Sequence, residues 1–389
     1  MRNFIYNTPT KVYFGRDTHK DVGKIIKDLG YNKIMLQYGQ GSIKKSGLYD
    51  EVVNSLNENG ISFVEVGGVE PNPKVSYVRD AVKIAKESKV EMILAVGGGS
   101  VIDSSKSIAA GAMADFDVWK FFEGEEVLTK SLPVSCILTH SAAGSEMSAS
   151  AVLTNMELNM KRGFTSELNR CEFSILNPEL TYSVSKYQTA CGIVDIMAHT
   201  MERYFTVCPP TELTDRIAES ILKSVINAGK IVMNDEKNYD ARATIMWASS
   251  LSHNGLTGCG RENALAVHQL EHALSGEYDF VPHGAGLAVL FPKWAKYVYK
   301  ENIERFAQFA RRVWDVEEKD DEKAALMGII KMEEFFKFLK MPLSLNEFNI
   351  DKSCIERLAT LCTFNKKRTI KSYIELDFDR VKEIFETCF

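Results

Sequence analysis

Several features that would assign this chain to a common protein class are missing. Its 389 residues contain no long tract of lysine and arginine and carry a formal net charge of −5, so we expect no nucleic-acid partner. No apolar run reaches the length of a membrane span, and residues 1–4 carry no apolar signal segment, so we expect a cytoplasmic protein without membrane contact. The eight cysteines form no CxxC pair, which indicates reduced thiols and not a disulfide framework.

Histidine is also scarce, but five of the seven histidines fall between His199 and His283. Asp195 and His199 are four residues apart, as are His268 and His272, so each pair shares one face of a helix. Carboxylates and neutral imidazoles bind divalent first-row metals well. The pattern predicts that Asp195, His199, His268 and His283 hold one metal ion. The alternative is a helix face whose histidines have ordinary hydrogen-bond partners.

The first half of the chain alternates short apolar runs with amphipathic segments. The predicted strands are 33–38, 62–66 and 91–96, and the predicted helices are 48–59, 75–88 and 101–112. Such alternation predicts a Rossmann-like α/β domain with a parallel sheet, which binds ligands at the carboxyl ends of its strands.

Gly97-Gly98-Gly99-Ser100 follows one of these strands and opens a helix. Glycine lets a backbone approach an anion closely, and a helix N-terminus offers free N–H groups, so a pyrophosphate fits there. The alternative is a tight turn capped by Ser100. A second glycine-rich strand end, at Gly39, favours nucleotide binding.

From about residue 185 the strand patterns fade and helical patterns dominate. Helices are predicted at 186–205, 212–232, 239–254, 263–274, 303–313 and 324–339. We therefore predict two domains, an α/β dinucleotide-binding domain over 1–184 and an all-helical metal-binding domain over 185–389.

The motifs together resemble the iron-containing (group III metal-dependent) alcohol dehydrogenases, and especially the bacterial NAD(P)H-dependent butanol dehydrogenases. The resemblance runs nearly end to end. It rests on the segments Pro9-Thr10-Lys11-Val12-Tyr13-Phe14-Gly15, Glu70-Pro71-Asn72-Pro73, Gly97-Gly98-Gly99-Ser100 with Asp103, Gly144-Ser145-Glu146, Asp195-x-x-x-His199, His268-x-x-x-His272 and His283-Gly284.

This resemblance implies a dehydroquinate synthase-like architecture and an enzyme that moves hydride between NAD(P)H and short- to medium-chain aldehydes or primary alcohols. It implies Fe²⁺, with Zn²⁺ as the alternative, on Asp195, His199, His268 and His283, and a homodimer. It places His272 near the nicotinamide, either as a catalytic proton relay or as a structural residue. The cofactor-binding residues that it implies are Gly39, Ser42, Asn72, Gly98, Gly99, Ser100, Asp103, Thr139, Ser148, Lys161 and Leu180.

The sequence departs from the family pattern at Ala143, where relatives usually have threonine, and at His140, where they have a small or apolar residue. In NAD-specific relatives an aspartate matches Gly39. Here no acid occurs from Gly39 to Lys45, so NADP(H) is the expected preference and NAD(H) the alternative. The other functions considered are a glycerol dehydrogenase-like zinc polyol dehydrogenase, a dehydroquinate synthase-type lyase and a non-enzymatic metal-binding protein.

Overall fold

A computed structural model describes residues 1–262 and 264–389. Internal contacts divide the chain into two compact units, Asn7–Val184 and Ser185–Phe389 together with Met1–Tyr6. The first six residues, which the sequence assigns to the nucleotide-binding domain, therefore pack with the helical unit. The Arg2 amide donates a hydrogen bond to the Gly260 carbonyl at 3.0 Å.

The first unit is built on a six-stranded sheet in which every strand pair is parallel. The strand order is β1-β8-β5-β4-β2-β3, and β6 and β7 form a separate antiparallel hairpin. The strands are β1 Lys11–Phe14, β2 Lys33–Gly39, β3 Ser62–Val69, β4 Met92–Gly97, β5 Val134–Leu138, β6 Ser150–Asn155, β7 Met160–Thr165 and β8 Phe173–Leu176.

Helices follow several of these strands and supply the crossovers that parallel pairing requires. They are α1 Val22–Asp28, α2 Ser42–Ser46, α3 Leu48–Glu58, α4 Val75–Ser88, α5 Gly99–Ala112 and α6 Trp119–Glu123. The strand β4 is fully buried along its length because it lies in the middle of the sheet.

The order of the strands creates a crevice between β2 and β4. From β2 the chain continues to β3 on one side, and from β4 it continues to β5 on the other. Connections that leave two neighbouring strands in opposite directions open a gap at their carboxyl ends, where open α/β sheets bind ligands. The glycine-rich segments after Gly39 and Gly97 both lie at this point.

The second unit is helical, as the sequence predicts. Its helices are α7 Lys186–Tyr204, α8 Glu212–Val232, α9 Tyr239–His253, α10 Ala266–Glu277, α11 His283–Val298, α12 Ile303–Trp314, α13 Asp321–Phe338, α14 Ile355–Cys362 and α15 Phe378–Glu386. One apolar core joins them, and α7 and α11 lie deepest, with most of their residues buried. No helix in the described part of the chain has the length and apolar character needed to cross a bilayer.

The predicted α/β and helical regions are confirmed. The elements that were predicted differ from the observed ones mainly at their ends, whereas others, among them α11 and five of the strands, were not predicted. The helix predicted over 263–274 begins at Ala266 and ends at Glu277, and Asn263 lies outside the described residues. The helix predicted from 101 begins two residues earlier, at Gly99, so the glycine run spans the end of β4 at Gly97, the N-cap Gly98 and the first residue of α5.

Candidate functional site

The four predicted metal ligands come together from three helices. Asp195 and His199 lie one turn apart in α7, His268 lies in the first turn of α10, and His283 is the first residue of α11. Asp195 Oδ1 is 3.4 Å from His199 Nε2, 3.6 Å from His268 Nε2 and 3.7 Å from His283 Nε2. One carboxylate oxygen therefore has three imidazole nitrogens around it.

These separations fit a divalent ion. Ligands bound at about 2.0–2.2 Å in a tetrahedron lie roughly 3.3–3.6 Å apart. Asp195 and His268 are each 4% exposed, and Asp195 Oδ1 and His268 Nε2 have no hydrogen-bond partner among the described residues. Buried polar atoms are costly without a partner, and an ion between them satisfies both.

Two buried glutamates contact the other nitrogen of two of these histidines. Glu202 Oε2 contacts His268 Nδ1, and Glu271 Oε2 contacts His283 Nδ1. A carboxylate on Nδ1 holds the proton there and leaves the Nε2 lone pair for a metal. Both Nε2 atoms point toward Asp195, as that arrangement requires.

Glu202 and Glu271 were not predicted as site residues, although their spacing from the predicted ligands indicates that they belong to the site. Asp195, His199 and Glu202 are spaced by four and three residues, so they share one face of α7. Glu271 lies between two histidines of the segment His268-Gln269-Leu270-Glu271-His272. His253 was also not predicted as a site residue, although the centroid of its ring lies 4.0 Å from that of His199.

The electrostatics of the cluster favour a cation. Burial and the neighbouring His253 and His268 rings hold the pKa of His199 well below its usual range, so its imidazole is neutral and ready to bind a metal. Burial also tends to lower the pKa of His268, but the Glu202 and Asp195 carboxylates outweigh it and raise that pKa to about 9. Without a metal His268 therefore carries a second proton, on Nε2. A metal ion that binds there would displace it and leave the neutral ring with its proton on Nδ1.

His272 lies beside this centre. Its ring centroid is 5.8 Å from that of His283, and it groups with Glu271 and His283 at distances that a shared ion would allow. The predicted catalytic residue is therefore next to a predicted ligand.

The predicted cofactor residues gather at one edge of the first unit. Most follow the carboxyl ends of parallel strands, which share an edge. Those residues are Gly39 at the end of β2 and Ser42 after it, Asn72 after β3, Gly98, Gly99 and Ser100 after β4, Thr139 and Ser148 after β5, and Leu180 after β8. The Thr139 amide donates to the Gly97 carbonyl at 3.0 Å, which holds two of these strand ends together.

Lys161 joins this edge through a side chain. Its Nζ lies 3.1 Å from the Asn72 Oδ1 atom, so these two predicted residues from separate elements meet. The two departures from the family pattern lie at the glycine loop. A Cβ added at Gly98 would be 3.2 Å from His140 Cβ, and one added at Gly99 would be 3.7 Å from Ala143 Cβ.

Comparison with known proteins agrees with this geometry. The family described as iron-containing alcohol dehydrogenase matches residues 9–178, and its C-terminal counterpart matches residues 189–389. The chain belongs to the iron-containing alcohol dehydrogenase family. It is thus an NAD(P)-dependent alcohol dehydrogenase or aldehyde reductase, and iron and a nicotinamide are the cofactors that the family and the relatives' names support.

Individual relatives span the whole chain. It is 41% identical over 391 residues to NADH-dependent butanol dehydrogenase A of Clostridium acetobutylicum, covering 100% of both chains. It is 35% identical to an NADPH-dependent aldehyde reductase of Escherichia coli, covering 92% of each. The crystal structure of NADH-dependent butanol dehydrogenase A from Thermotoga maritima superposes with a TM-score of 0.97 at 38% identity, covering 100% of this chain and 99% of that one.

In this member of the iron-containing alcohol dehydrogenase family, α5 also holds the segment that follows Thr139. Lys106 is 0% exposed, and its ammonium donates to the carbonyl oxygens of Ser145, Ser148 and Ser150 at 2.7, 3.0 and 2.9 Å. One turn earlier, the Asp103 carboxylate accepts hydrogen bonds from the Ser145 hydroxyl and the Val152 amide. Asp103 thus fixes residues 145–152 at the nucleotide edge, which is the edge of the first unit where the predicted cofactor residues lie.

The histidine at the start of α11 depends on two glycines. A Cβ at Gly284 would lie 2.2 Å from the Cys191 carbonyl oxygen of α7, so the two backbones touch where only glycine fits. A Cβ at Gly286 would lie 3.0 Å from Glu271 Cγ. Both glycines therefore bring α11 close enough for His283 to reach Asp195 and Glu271.

Gly284→Ala is expected to push α11 away from α7 and to carry His283 out of the centre. Overpacking of this kind destabilises by about 1–3 kcal/mol, and the iron content of the purified protein should fall as well. Thermal unfolding and metal analysis measure the two effects. Gly163→Ala is the control, because its Cβ would have its nearest neighbours at an ordinary 3.4 Å. Wild-type iron and stability in Gly284→Ala would contradict the argument.

Proposed function

We propose that this enzyme reduces short- and medium-chain unbranched aldehydes, such as butanal, to primary alcohols with NAD(P)H. The observation that carries the proposal is the meeting of three imidazole Nε2 atoms around Asp195 Oδ1. Relatives named for butanol oxidation and for aldehyde reduction support the substrate class. We also propose Fe²⁺ as the ion, with Zn²⁺ as the alternative, and a cytoplasmic homodimer, on the resemblance to the family.

In this proposal one predicted domain binds the dinucleotide and the other binds the metal. Residues 1–184 bind the dinucleotide through Gly39, Ser42, Asn72, Gly98, Gly99, Ser100, Asp103, Thr139, Ser148, Lys161 and Leu180. Residues 185–389 hold the metal through Asp195, His199, His268 and His283. The N-terminus of α5 would hold the pyrophosphate, because Gly98 and Gly99 have no side chains there and the helix dipole favours an anion.

The chemistry assigns separate tasks to the protein and to the groups that it binds. A divalent ion supplies Lewis acidity toward the substrate oxygen, and the nicotinamide supplies the hydride. Asp195 contributes negative charge that holds the ion, and three neutral imidazoles leave it electrophilic. We propose that the His272 imidazole relays the proton that the product oxygen needs.

Removing a ligand should separate metal binding from dinucleotide binding. His268→Ala is expected to lose bound metal and turnover, while NAD(P)H binds with near wild-type affinity because the glycine loop lies in the other unit. His272→Ala should keep its metal and lose about 10²–10⁴-fold in kcat. Metal analysis, fluorescence titration with NADPH and butanal assays measure these effects. Full metal content in His268→Ala, or its loss in His272→Ala, would refute the assigned roles.

Apolar residues near the ligands in sequence support an uncharged substrate. Trp247 and Phe280 are 41% and 64% exposed, so neither is ordinary core of the helical unit. Leu251 and Leu256 are half-buried in the same part of the chain. A substrate site lined by such residues would favour alkyl chains over phosphates.

We expect kcat/KM for butanal to exceed that for glyceraldehyde 3-phosphate by about a hundredfold or more. Burying a phosphate is costly, and these apolar side chains offer no positive charge to pair with it. A steady-state comparison with metal-loaded enzyme provides the measurement. Pentanal serves as the control for chain length. Similar kcat/KM values for the two aldehydes would rule out the proposed substrate class.

For the cofactor, we propose that NADPH is used at least as well as NADH. The segment from Gly39 to Lys45 contains no acid that would repel a 2′-phosphate. Lys44, a candidate phosphate partner, is held 3.1 Å from Glu65 and lies over the rings of Tyr38 and Tyr49. This leaves Ser42 and Lys45 to meet the phosphate. The NADH dependence in the names of the clostridial and Thermotoga relatives favours the opposite preference.

Gly39→Asp is a clean test of this strand end. A Cβ at Gly39 would have its nearest neighbour, the Val69 carbonyl oxygen, at 3.5 Å, so the new side chain fits. The substitution should lower kcat/KM for NADPH by about tenfold to a hundredfold and spare NADH, because the carboxylate opposes the 2′-phosphate. Gly39→Asn isolates charge from size. A wild-type preference for NADH that Gly39→Asp leaves unchanged would show that this position does not contact the ribose.

A further inference from the structure

Glu202 makes contacts that reach beyond the histidine it touches. It lies on α7, is 2% exposed, and meets the Nδ1 atom of His268. It also accepts hydrogen bonds from the backbone amides of Val267 at 2.5 Å and His268 at 3.4 Å. One buried carboxylate from α7 therefore holds both the side chain and the backbone of the first turn of α10.

The first turn of α10 needs such a partner. The helix begins at Ala266, and its N-cap position is Leu265, whose side chain has no hydrogen-bonding group. Amides in a first helical turn have no acceptor within their own helix, and a carboxylate there both accepts their hydrogen bonds and complements the helix dipole. Glu202 does from a neighbouring helix what an N-cap side chain normally does from within.

We propose that Glu202 is a positioning residue that couples the start of α10 to the metal centre. By capping the helix and accepting the Nδ1 proton together, it fixes His268 in the tautomer whose Nε2 lone pair faces Asp195. The inference rests on the proposed metal site and adds to it a residue that touches neither metal nor substrate.

The alternative is a buried acid that supports the fold and nothing else. Glu202→Gln distinguishes the two because glutamine has the same shape and a different hydrogen-bonding pattern. If its carbonyl oxygen accepts from the Val267 amide, its NH₂ group faces His268 Nδ1 and requires that atom to be unprotonated. The proton of the neutral imidazole then moves to Nε2 and blocks the ligand position.

Glu219 offers a matched control on α8. It is 3% exposed and accepts a hydrogen bond from the Tyr204 hydroxyl at 2.8 Å, and it belongs to the same helical unit. Glu219→Gln therefore removes a buried carboxylate without changing a metal ligand's partner.

The measurement is the dissociation constant for Zn²⁺, obtained by competition with a chromogenic chelator, for wild type, Glu202→Gln and Glu219→Gln. We expect binding about 10–100-fold weaker in Glu202→Gln and near wild type in Glu219→Gln. Unchanged binding in Glu202→Gln, or equal losses in both variants, would overturn the inference. A wild-type protein that binds no Zn²⁺ or Fe²⁺ would instead refute the proposed metal site.

A second measurement covers the case in which Glu202→Gln does not fold. A crystal structure of the zinc-loaded wild-type protein shows which nitrogen of His268 binds the ion. Ligation through Nε2, with Nδ1 on Glu202, supports the role. Ligation through Nδ1, or a metal-loaded protein in which Glu202 has left His268, contradicts it.

Discussion

The organisation of the helical unit depends on one buried carboxylate oxygen. Asp195 Oδ1 has imidazole nitrogens from three directions at 3.4–3.7 Å, and these come from α7, α10 and α11. Apolar packing alone would not choose this arrangement, since it buries polar atoms that lack a partner among the described residues. An ion held at the proposed centre would supply that partner, and the free energy of metal binding would then also stabilise the packing of these helices.

Three further contacts make the arrangement specific. The backbone of α11 touches that of α7 where Gly284 meets Cys191, and this contact sets how near His283 can come. Glu202 and Glu271 then fix the rings of His268 and His283 through their Nδ1 atoms. The absence of a side chain at Gly284 therefore sets the distance between α11 and α7, and the side chains of Glu202 and Glu271 set the orientation of the two histidine rings. A metal centre needs both, because its bonds tolerate only small errors in length and angle.

Much of this could be predicted from sequence because the signals were local. The amphipathic helices Val75–Ser88 and Glu212–Val232 have the bounds that their periodicity predicts, and Asp195 and His199 are neighbours on one helix. The strands β1, β5, β6, β7 and β8 were not identified, since four to six residues give too short a stretch for a clear periodic pattern. The start of α10 was also misplaced. Its cap comes from Glu202 on another helix, and no pattern local to α10 contains that residue.

The buried ammonium of Lys106 has a consequence for the nucleotide edge. The carbonyl oxygens of Ser145, Ser148 and Ser150 surround the ammonium group as they would a bound metal cation, but this cation is covalently part of the chain. Salt screens exposed charges and leaves enclosed ones largely unaffected, and no chelator can extract a lysine. The loop that follows Thr139 is thus ordered by the Lys106 ammonium, a cation that cannot dissociate from the protein. In the proposed metal site, by contrast, α7, α10 and α11 would be ordered by a cation that the enzyme must acquire, so metal loading would control activity while the loop held by Lys106 stays formed.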